Sequence, residues 1–388
     1  MNATSFTAHL RSSAEEIGAG TWNACANPAG LADPHPFARY EFFDALERSG
    51  SACANTGWRP CHLTLEQNGN VEALLPLYLK NHSLGEYVFD HGWADAFERA
   101  GGQYYPKLQA SVPFTPVTGP RLLVGPRLEA NSGRKALLEA ASQTTRSLGA
   151  SSLHVTFMTE DEWALAAACG FLRRTDQQFH WTNKGYTSFE DFLAGLSSSR
   201  RKTLRKERAA IRAAEVEFDW LTGSGITESH WDEFFEFYIC TGSGKWGRPY
   251  LTREFFSRIG ASMGDAILLI IARRGRRAIA AALNFTGERT LFGRNWGAGE
   301  YVPFLHFETC YYQAIDFAIA NRLERVEAGA QGVHKLLRGY SPVPTHSAHF
   351  IANPAFRDAV ARYLLRERAA VAQESESLRS YLPFREES

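Results

Sequence analysis

Hydrophobic and polar positions in the first part of the chain change period several times, and each change predicts a helix or a strand. Apolar residues at helical spacing predict a helix, and strict alternation predicts a strand. The turn Asn68-Gly69 separates two alternating runs, which is a strong signal of a β-hairpin. The predicted elements are a helix at 37–48, strands at 61–66 and 71–79, a helix at 132–148, a strand at 152–157 and a helix at 160–169.

The second part of the chain has a clearer pattern. Its predicted elements are a strand at 177–184, helices at 187–195 and 198–214, a strand at 215–221, helices at 228–240 and 252–262, strands at 265–273, 277–286 and 289–296, a helix at 303–321 and a strand at 323–328. Short turns at Arg274-Gly275 and Gly287-Glu288 predict antiparallel pairing of the three consecutive strands. A helix that links neighbouring strands is a crossover and makes a local parallel pair.

Length and element order together predict two domains of the α/β class, each with a mixed sheet (an α+β mixed-sheet arrangement). The chain has 388 residues, and a length prior of roughly 150 residues per domain favours two domains. We place the domain boundary at the strand near 177, so that the predicted domains are 1–176 and 177–388. Residues 84–118 are aromatic and without clean period, which is typical of a functional segment.

Composition excludes several classes of protein. Lys+Arg and Asp+Glu are both 42, so the chain lacks the basic excess of a DNA-coating protein, and we expect no DNA partner. The six cysteines form no CxxC pair, and His, Asp and Glu show no ligand spacing, so we expect no metal. The first twenty residues lack an apolar signal region, and no run reaches the length of a membrane span. These features predict a soluble, cytoplasmic protein.

Two glycine-containing segments in the second half are candidate anion sites. The first runs from Arg294 through Trp296 and Gly297 to Gly299, at the end of a strand and before a helix, where backbone N–H groups can face phosphates. The second is 329–339, directly after the strand at 323–328. Cations three residues apart on a helical turn share one face and suit a phosphate or a carboxylate. The residues of this second group are Lys335, Arg338 and Gly339.

A row of arginines marks the predicted helix at 198–214. Their spacing of four, three and four residues places them on one stripe, with Leu204 and Ile211 as its packed edge. Four arginines in line suit contact with a phosphate backbone, although a solvated helix face has the same pattern. The stripe is a candidate patch for tRNA or another anion and consists of Arg201, Arg205, Arg208 and Arg212.

Three titratable residues are candidate bases. Glu308 lies on the buried stripe of the helix at 303–321, where desolvation should raise its pKa, so it is either a general base or a structural carboxylate. Glu327 precedes the turn at Gly329 and is a second candidate. His334 is a third, although a lone histidine is more often structural.

Several segments resemble a known family. The element order of the second half is similar to the GNAT acyltransferase fold, and the segment from Arg294 to Gly299 resembles the R/Q-x-x-G-x-G/A pattern with which GNAT enzymes bind the CoA pyrophosphate. Two such domains in one chain resemble the FemABX aminoacyltransferases, which move amino acids from aminoacyl-tRNA onto cell-wall precursors. The segments FHWTNKGYTSFEDFLAGLSSSRRKTLRKER, VEAGAQGVHKLLRGYSPVPTHSAHF and SLGEYVFDHGWADAF resemble predicted N-acyltransferases described as peptidoglycan-biosynthesis-like.

The resemblance implies an N-acyltransferase with two tandem GNAT-like domains, the first a degraded copy on the acceptor side and the second on the donor side. It implies that Lys335 matches a FemABX lysine near the tRNA end. GNAT analogy gives Tyr311 or Tyr312 the protonation of the leaving group. Acyl-CoA and aminoacyl-tRNA remain alternative donors, and the acceptor is an amine on a small molecule or cell-wall precursor. Residues in and around 84–118 would bind it: Lys80, Glu86, Asp90, His91, Trp93, Tyr105 and Lys107.

We therefore expect transfer of an acyl or aminoacyl group to an amine. Glu308 or Glu327 would take the proton, and backbone N–H groups near Trp296 and Gly297 would stabilise the oxyanion. An alternative from another class is a non-catalytic protein that binds an anionic cell-envelope precursor.

Overall fold

A computed structural model describes residues 6–245, 249–329 and 332–385. The chain folds as two units. The first unit comprises residues 1–176 and 345–372, and the second comprises 177–344 and 373–388. The stretch 345–372 therefore lies in the first unit, although it comes late in the sequence.

The first unit begins with a strand and two short helices and continues through alternating helices and strands. Its elements before residue 172 are β1 (Thr7–Arg11), α1 (Ala14–Ile17), α2 (Ala19–Ala26), α3 (Tyr40–Arg48), β2 (Trp58–Pro60), β3 (His62–Gln67), β4 (Asn70–Leu75), β5 (Tyr78–Lys80), α4 (His91–Arg99), β6 (Lys107–Ala110), β7 (Leu123–Val124), α5 (Ala130–Ser147), β8 (Ser152–Met158) and α6 (Glu160–Ala168). The predicted hairpin is confirmed as β3–β4, with Asn68 and Gly69 both at positive φ in its turn.

The second unit has the predicted order of strand, two helices, three strands, helix and strand. Its elements, and those that follow it in the chain, are β9 (Leu172–Thr182), α7 (Phe189–Ala194), α8 (Ser198–Ala213), β10 (Glu217–Thr222), α9 (Glu228–Lys245), α10 (Arg253–Met263), β11 (Ile267–Arg274), β12 (Arg277–Thr286), β13 (Thr290–Ala298), α11 (Leu305–Phe307), a π-helical turn (Glu308–Tyr312), α12 (Gln313–Ala320), β14 (Arg325–Glu327), a 3-10 helix (Val333–Arg338), β15 (Ser341–Ile351) and α13 (Pro354–Arg379).

Among the described residues, each unit has one parallel strand pair in an otherwise antiparallel arrangement. In the first unit the strands follow the order β2-β5-β6-β8-β15, and β6 runs parallel to β8. In the second unit the order is β10-β11-β12-β13-β14-β9, and β13 runs parallel to β14. A separate antiparallel sheet, β1-β3-β4-β7, belongs to the first unit. The predicted antiparallel run β11–β12–β13 and the predicted parallel pair after it are both confirmed.

The interpretation of 84–118 as wholly irregular is wrong, because this segment contains α4 and β6. Strand β6 is four residues long and lies next to a Pro and several aromatic residues, so its alternation is too short to detect in sequence. Apolar side chains of β3, β4, β6 and β8 pack with α5 and α6 in the core of the first unit. In the second unit, α12 packs against β11, β13 and β14.

Candidate active site

The opening between β13 and β14 is the most distinctive feature of the second unit. The two strands pair in parallel over Thr290–Phe292 and Arg325–Glu327. Strand β13 then continues to Ala298 without β14 beside it, because β14 ends at Glu327. Sites in α/β sheets collect at the carboxyl ends of parallel strands, and a diverging pair leaves room for a ligand there.

Arg294 lies at the start of this opening because of a β-bulge. Leu283 pairs with Asn295 and Asn284 pairs with Gly293, so Arg294 is the extra residue of β13. Its guanidinium Nη2 lies 3.3 Å from Oε2 of Glu327, and Nη1 donates to the Gly293 carbonyl at 2.8 Å. The bulge thus turns Arg294, which the sequence predicts to bind a phosphate, towards Glu327, the last residue of β14.

Glu327 is buried between a cation and a histidine. It pairs with His180 in the β14–β9 register, and His180 Nε2 lies 4.0 Å from Glu327 Oε1. Burial lowers the pKa of His180, so its imidazole is neutral at pH 7. The carboxylate therefore has a charged partner on one side and a neutral, polar partner on the other, at the point where the strands diverge.

Lys335 and Arg338 do not converge on one anion, which corrects the sequence interpretation. Lys335 Nζ donates to the Ala328 and Gly329 carbonyls at 2.6 and 3.1 Å, and burial lowers its pKa to about 8. The Arg338 guanidinium is bound by both oxygens of Glu207 at 2.8 and 2.9 Å. Arg338 therefore binds an internal carboxylate, and its role at a donor phosphate stays a prediction.

Gly339, at the end of the 329–339 segment, has a structural reason for its identity. Gly339 ends the 3-10 helix in the left-handed region, with φ 85°, and a Cβ there would lie 2.9 Å from the Phe192 ring. Ala330 and Gln331, in the middle of the segment, lie outside the described residues.

The glycines after Arg294 are also explained by packing. A Cβ on Gly297 would lie 2.2 Å from the Phe237 carbonyl carbon, and one on Gly299 would lie 2.9 Å from the Phe237 ring. Gly297 therefore allows α9 to approach the sheet, which gives this glycine a packing role; its place in a phosphate cradle stays a prediction. Ala298 N–H donates to the Thr241 hydroxyl and Gly299 N–H to the Ile279 carbonyl of β12. Since N–H directions alternate along a strand, the Trp296 N–H points away from β12 and the Gly297 N–H points towards it.

The two candidate tyrosines have different partners. The Tyr311 hydroxyl lies 3.0 Å from His334 Nε2, whereas the Tyr312 hydroxyl donates to buried Glu207. Burial raises the pKa of both phenols above the usual range. Tyr311 and His334 thus form a pair that can move a proton, and Tyr312 belongs to the Glu207–Arg338 cluster.

Glu308 is buried and has a raised pKa, as predicted, and the first cause is desolvation. Its Oε1 accepts from Arg208 at 2.9 Å and from Gln313 at 2.8 Å. Its Oε2 has no hydrogen-bond partner among the described residues. Arg208 also binds Asp316 at 2.7 Å, so Glu308 shares a cation with a second carboxylate.

The arginine stripe is divided by this arrangement. Leu204 and Ile211 are buried, as predicted for its packed edge. Arg208 points inwards to Glu308, whereas Arg205 is exposed and pairs with Glu190 at 2.5 Å. Arg212 is exposed and Arg201 is half-buried. The candidate anion patch therefore keeps three of its four predicted members on the accessible side of α8.

Most of the predicted acceptor residues of the first unit meet in one buried cluster. Lys107 Nζ donates to Glu86 at 2.7 Å and to Asp90. Lys80 Nζ lies 3.5 Å from Glu86 and over the Trp58 ring. Burial raises the pKa of Glu86, while for Asp90 the effect of burial is outweighed by the charge of Lys107, which lowers its pKa.

The remaining three acceptor candidates lie at the edge of the cluster or outside it. The Tyr105 hydroxyl lies 2.8 Å from Ser83 Oγ, which in turn accepts from Lys107. Trp93 is buried and its ring contacts His349. His91 is exposed at the start of α4, so the structure separates it from the cluster.

A family model described as peptidoglycan biosynthesis/recognition, FemAB-like, matches residues 13–386. The chain belongs to the FemAB-like family. This match confirms the family resemblance found in the sequence. Among curated protein sequences, none matches the chain significantly.

Solved structures place this FemAB-like chain in a known fold at low sequence identity. FemX matches with a TM-score of 0.52 and 10% identity, covering 90% of this chain and 99% of FemX. The C-terminal DUF2156 domain of an Agrobacterium fabrum protein, named for lysylphosphatidylglycerol synthetase, matches with a TM-score of 0.52 and 10% identity, covering 91% and 97%. A tandem GNAT protein from the clavulanic acid pathway has a TM-score of 0.49 at 13% identity, covering 90% and 99%. The predicted α/β class with a mixed sheet is confirmed.

Three residues of these sites were missed by the sequence analysis, and two of them carried a signal. Glu207 lies three residues after Leu204 and four before Ile211, so its spacing placed it on the buried face of α8. His154 alternates with Ser152 and Thr156 along a strand, which placed three polar residues on one face. His180 had no such signal, because its neighbours depend on the pairing of β9 with β14.

Within residues 6–245, 249–329 and 332–385, no group of three or more His, Cys, Asp or Glu is arranged to hold a metal ion. None of the helices in those ranges has both the length and the apolar composition needed to cross a bilayer.

Proposed function

We propose that this FemAB-like protein is an N-acyltransferase that moves an acyl or aminoacyl group from an activated donor to an amine, at the opening between β13 and β14. The observation that carries this proposal is the buried carboxylate of Glu327 at the point where the parallel pair diverges, with Arg294 bulged towards it at 3.3 Å. This arrangement places a base, which acyl transfer to an ammonium group requires, beside a cation and an unpaired strand edge.

Glu327 is the base in this proposal, in preference to Glu308. Both are buried, but Oε1 of Glu308 accepts from Arg208 and Gln313 at 2.9 and 2.8 Å, whereas the arginine contact of Glu327 is longer, at 3.3 Å. Glu327 is also the last residue of β14 and so lies beside the opening. Glu327 takes one proton from the acceptor ammonium, and the freed nitrogen lone pair forms the N–C bond with the donor carbonyl. Arg294 keeps the carboxylate oriented, and neutral His180 stabilises it without neutralising it.

The Trp296 N–H faces the oxyanion, because it lies on the open edge of β13. As the carbonyl re-forms, the C–S or C–O bond to the leaving group breaks. Tyr311 donates its proton to the departing sulfur or oxygen and recovers one through His334. The acceptor nitrogen loses two protons in all. Glu327 takes the first, and the second equals in number the proton that the leaving group gains from Tyr311. The raised pKa of Tyr311 keeps it protonated and ready to donate.

Both donors remain candidates. Lys335 supports either, because it lies buried beside the opening with a lowered pKa and can move from the carbonyls of Ala328 and Gly329 to a donor phosphate. Acyl-CoA would use Lys335 and Arg294. Aminoacyl-tRNA would add Arg201, Arg205 and Arg212 on α8 as a track for its backbone.

The test measures thiol release from acetyl-CoA and deacylation of alanyl-tRNA, each with glycinamide as acceptor. We expect Glu327→Gln to lower the rate by about 10²–10⁴-fold with the active donor. Glu308→Gln is the matched control and should lower it by less than about tenfold. A Glu327→Gln enzyme within twofold of wild type would remove Glu327 from the mechanism.

Two further outcomes test the donor site and the class of protein. If Lys335→Ala leaves both the turnover and the donor affinity unchanged, Lys335 does not bind the donor. If neither donor shifts the thermal unfolding of the wild type and neither reacts, the protein is not a transferase of this kind. The alternative, a non-catalytic protein that binds an anionic cell-envelope precursor, would then be favoured.

A further inference from the structure

The helix that connects β13 with β14 contains one irregular turn. Its parts Leu305–Phe307 and Gln313–Ala320 are α-helical, and the turn Glu308–Tyr312 between them is π-helical. The backbone N–H of Gln313 donates to the carbonyl of Glu308, five residues back instead of four. A π turn inserts one residue, so it rotates the two helical parts relative to each other by about 100°, the angle between neighbours in an α-helix. Turns of this kind occur frequently at functional sites.

The side chains at the two ends of the π turn repeat its backbone hydrogen bond. Gln313 Nε2 donates to Glu308 Oε1 at 2.8 Å, and both side chains are buried. The Trp220 indole N–H donates to Gln313 Oε1 at 2.9 Å. Because an indole nitrogen can only donate, this contact fixes which end of the Gln313 amide faces Glu308. A buried side-chain bond across five residues matches a π turn, since in an α-helix residues four apart face each other.

Arg208 of α8 matches the same register farther along the helix. Its Nη2 lies 2.9 Å from Glu308 Oε1 and 2.7 Å from Asp316 Oδ2. Residues eight apart on a continuous α-helix are about 80° apart around the axis, and the inserted residue brings them onto one stripe. Without the π turn, Glu308 would share its stripe with Tyr312 and Ile315, which are buried in the apolar core. The carboxylate would then lose both of its partners.

The π turn also determines where the proposed proton donor lies. The Tyr311 hydroxyl is 3.0 Å from His334 Nε2. The Phe307 ring packs on both residues, with ring centres 6.3 Å from Tyr311 and 5.6 Å from His334, and the Arg338 guanidinium lies 3.4 Å from its ring centre. Phe307 precedes the π turn and Tyr311 lies within it, so a return to α-helical register would rotate both relative to α12. Their contacts with His334 would be lost.

We propose that Glu308 is a positioning residue for the transfer reaction: by binding Gln313 and Arg208 it holds the π turn, and the π turn holds the Tyr311 hydroxyl on His334. The role of Tyr311 in catalysis rests on the proposed function, but its position can be measured without turnover. Only the acceptor atom Oε1 of Glu308 takes part in both contacts. A glutamine at this position therefore suffices, and an apolar side chain does not.

The first test measures the position of Tyr311 by NMR of ¹⁵N-histidine-labelled protein. The His334 Nε2 resonance is the one missing from His334→Asn, and Tyr311→Phe gives its position when the hydrogen bond is absent. Glu308→Leu should move the resonance to the Tyr311→Phe position, whereas Glu308→Gln should leave it at the wild-type position. A folded Glu308→Leu protein with the wild-type resonance would overturn the proposal. If Glu308→Leu fails to fold, Gln313→Leu removes the other half of the bond and is judged by the same two results.

A matched control separates this effect from a general loss of an ion pair. Glu233 of α9 lies 3.4 Å from Arg273 in the same unit, so Glu233→Leu also removes the carboxylate partner of an arginine. This variant should leave the His334 resonance unchanged. A shift equal to that of Glu308→Leu would show that the resonance reports stability alone, and this would also refute the assignment.

The second test uses turnover and compares two leaving groups. An alkyl thiol or a ribose hydroxyl needs a proton to leave, whereas thiophenolate from S-phenyl thioacetate does not. Glu308→Leu should therefore lower the rate with acetyl-CoA or alanyl-tRNA, whichever reacts, by about tenfold or more beyond its effect on S-phenyl thioacetate. Equal losses with both donors would indicate a structural role only and contradict the proposal. A wild type that is inactive with every donor would refute the proposed function, and the His334 measurement would still decide whether Glu308 positions Tyr311.

Discussion

In each unit one parallel strand pair lies between antiparallel neighbours, but the side chains at the centre of the two arrangements differ. In the first unit Gln109, His154 and His349 lie side by side in register across β6, β8 and β15. In the second unit a row in register across β13, β14 and β9 consists of Phe292, Glu327 and His180. The inner parallel strand thus carries a histidine in one unit and a carboxylate in the other, with a histidine beside it in both.

The surroundings differ more than the backbone does. In the first unit the acids stand on the segment that covers the sheet, and they are closed into a network with two lysines. In the second unit the acid stands on the strand itself, beside a bulged arginine and an open strand edge. A similar strand arrangement therefore carries a sealed polar face in one unit and an open candidate active site in the other, and the carboxylates lie on different elements in the two.

The largest expected effect tests whether the network of the first unit is sealed. Lys107→Met leaves Glu86 and Asp90 buried without their cation and should lower the free energy of unfolding by about 3–5 kcal/mol. Arg294→Met in the second unit breaks a longer contact beside an open edge and should cost less than half as much. Urea unfolding of both variants measures the difference. Equal losses would mean that the two clusters are equally closed.

A second prediction concerns the close packing of α9 on β13. Gly297→Ala places a methyl group 2.2 Å from a backbone carbonyl carbon, and overpacking of this kind costs about 1–3 kcal/mol. Gly225→Ala, where no atom lies within 4 Å, is the matched control and should change stability by less than about 0.5 kcal/mol. Thermal unfolding compares the two. A stable Gly297→Ala variant would contradict the packing role of this glycine.

A third prediction separates the two roles within the arginine stripe. Arg208→Gln removes a cation from two buried or half-buried carboxylates and should cost about 1.5–3 kcal/mol. Arg205→Gln breaks an exposed pair and should cost less than about 1 kcal/mol. If tRNA is the donor, Arg205→Gln should instead weaken tRNA binding and reduce its salt dependence. Equal stability losses in the two variants would contradict the division of the stripe.

Elements that are specified by neighbouring residues in the chain could be predicted from the sequence. The hairpin at Asn68, the order of the second unit and the buried position of Glu308 all follow from turn chemistry or from helical spacing. Strand β6 could not be predicted, because it has four residues and its neighbours are set by pairing with β5 and β8. The same limit applies to the candidate sites, since partners such as Glu207 for Arg338 come from elements far apart in sequence.

The tertiary contacts of Gly297 and Arg338 could not be predicted from sequence for a related reason. Their residue types suit phosphate contact, but Gly297 meets helix α9 and Arg338 meets Glu207, and both contacts are tertiary. A motif gives the chemistry that a residue can perform, whereas the fold decides whether that residue is available. Lys335 donates to two neutral backbone carbonyls, whereas Arg338 is paired with a carboxylate. A ligand can therefore bind Lys335 without breaking an ion pair.

The smallest change between neighbouring measurements is expected in a pH dependence that distinguishes the buried lysines of the two units. Burial lowers the pKa of Lys80 to about 7 and that of Lys335 to about 8, from an ordinary value of 10.5. Between these values and 10.5 the unfolded chain binds more protons than the folded one. The free energy of unfolding therefore rises with pH, by at most about 1.4 kcal/mol per pH unit for each lysine. The rise begins near pH 7 for Lys80 and near pH 8 for Lys335.

Single variants separate these two contributions. Lys80→Met should flatten the profile between pH 7 and 8, where Lys335 is still protonated in both states, and Lys335→Met should flatten it only above pH 8. Urea unfolding at half-unit intervals from pH 6.5 to about 9.5 resolves the two onsets, since each spans more than one point. A constant offset between Lys80→Met and wild type at every pH would show that Lys80 keeps its proton. Lys80 would then be charged in the folded protein over the whole pH range of the measurement.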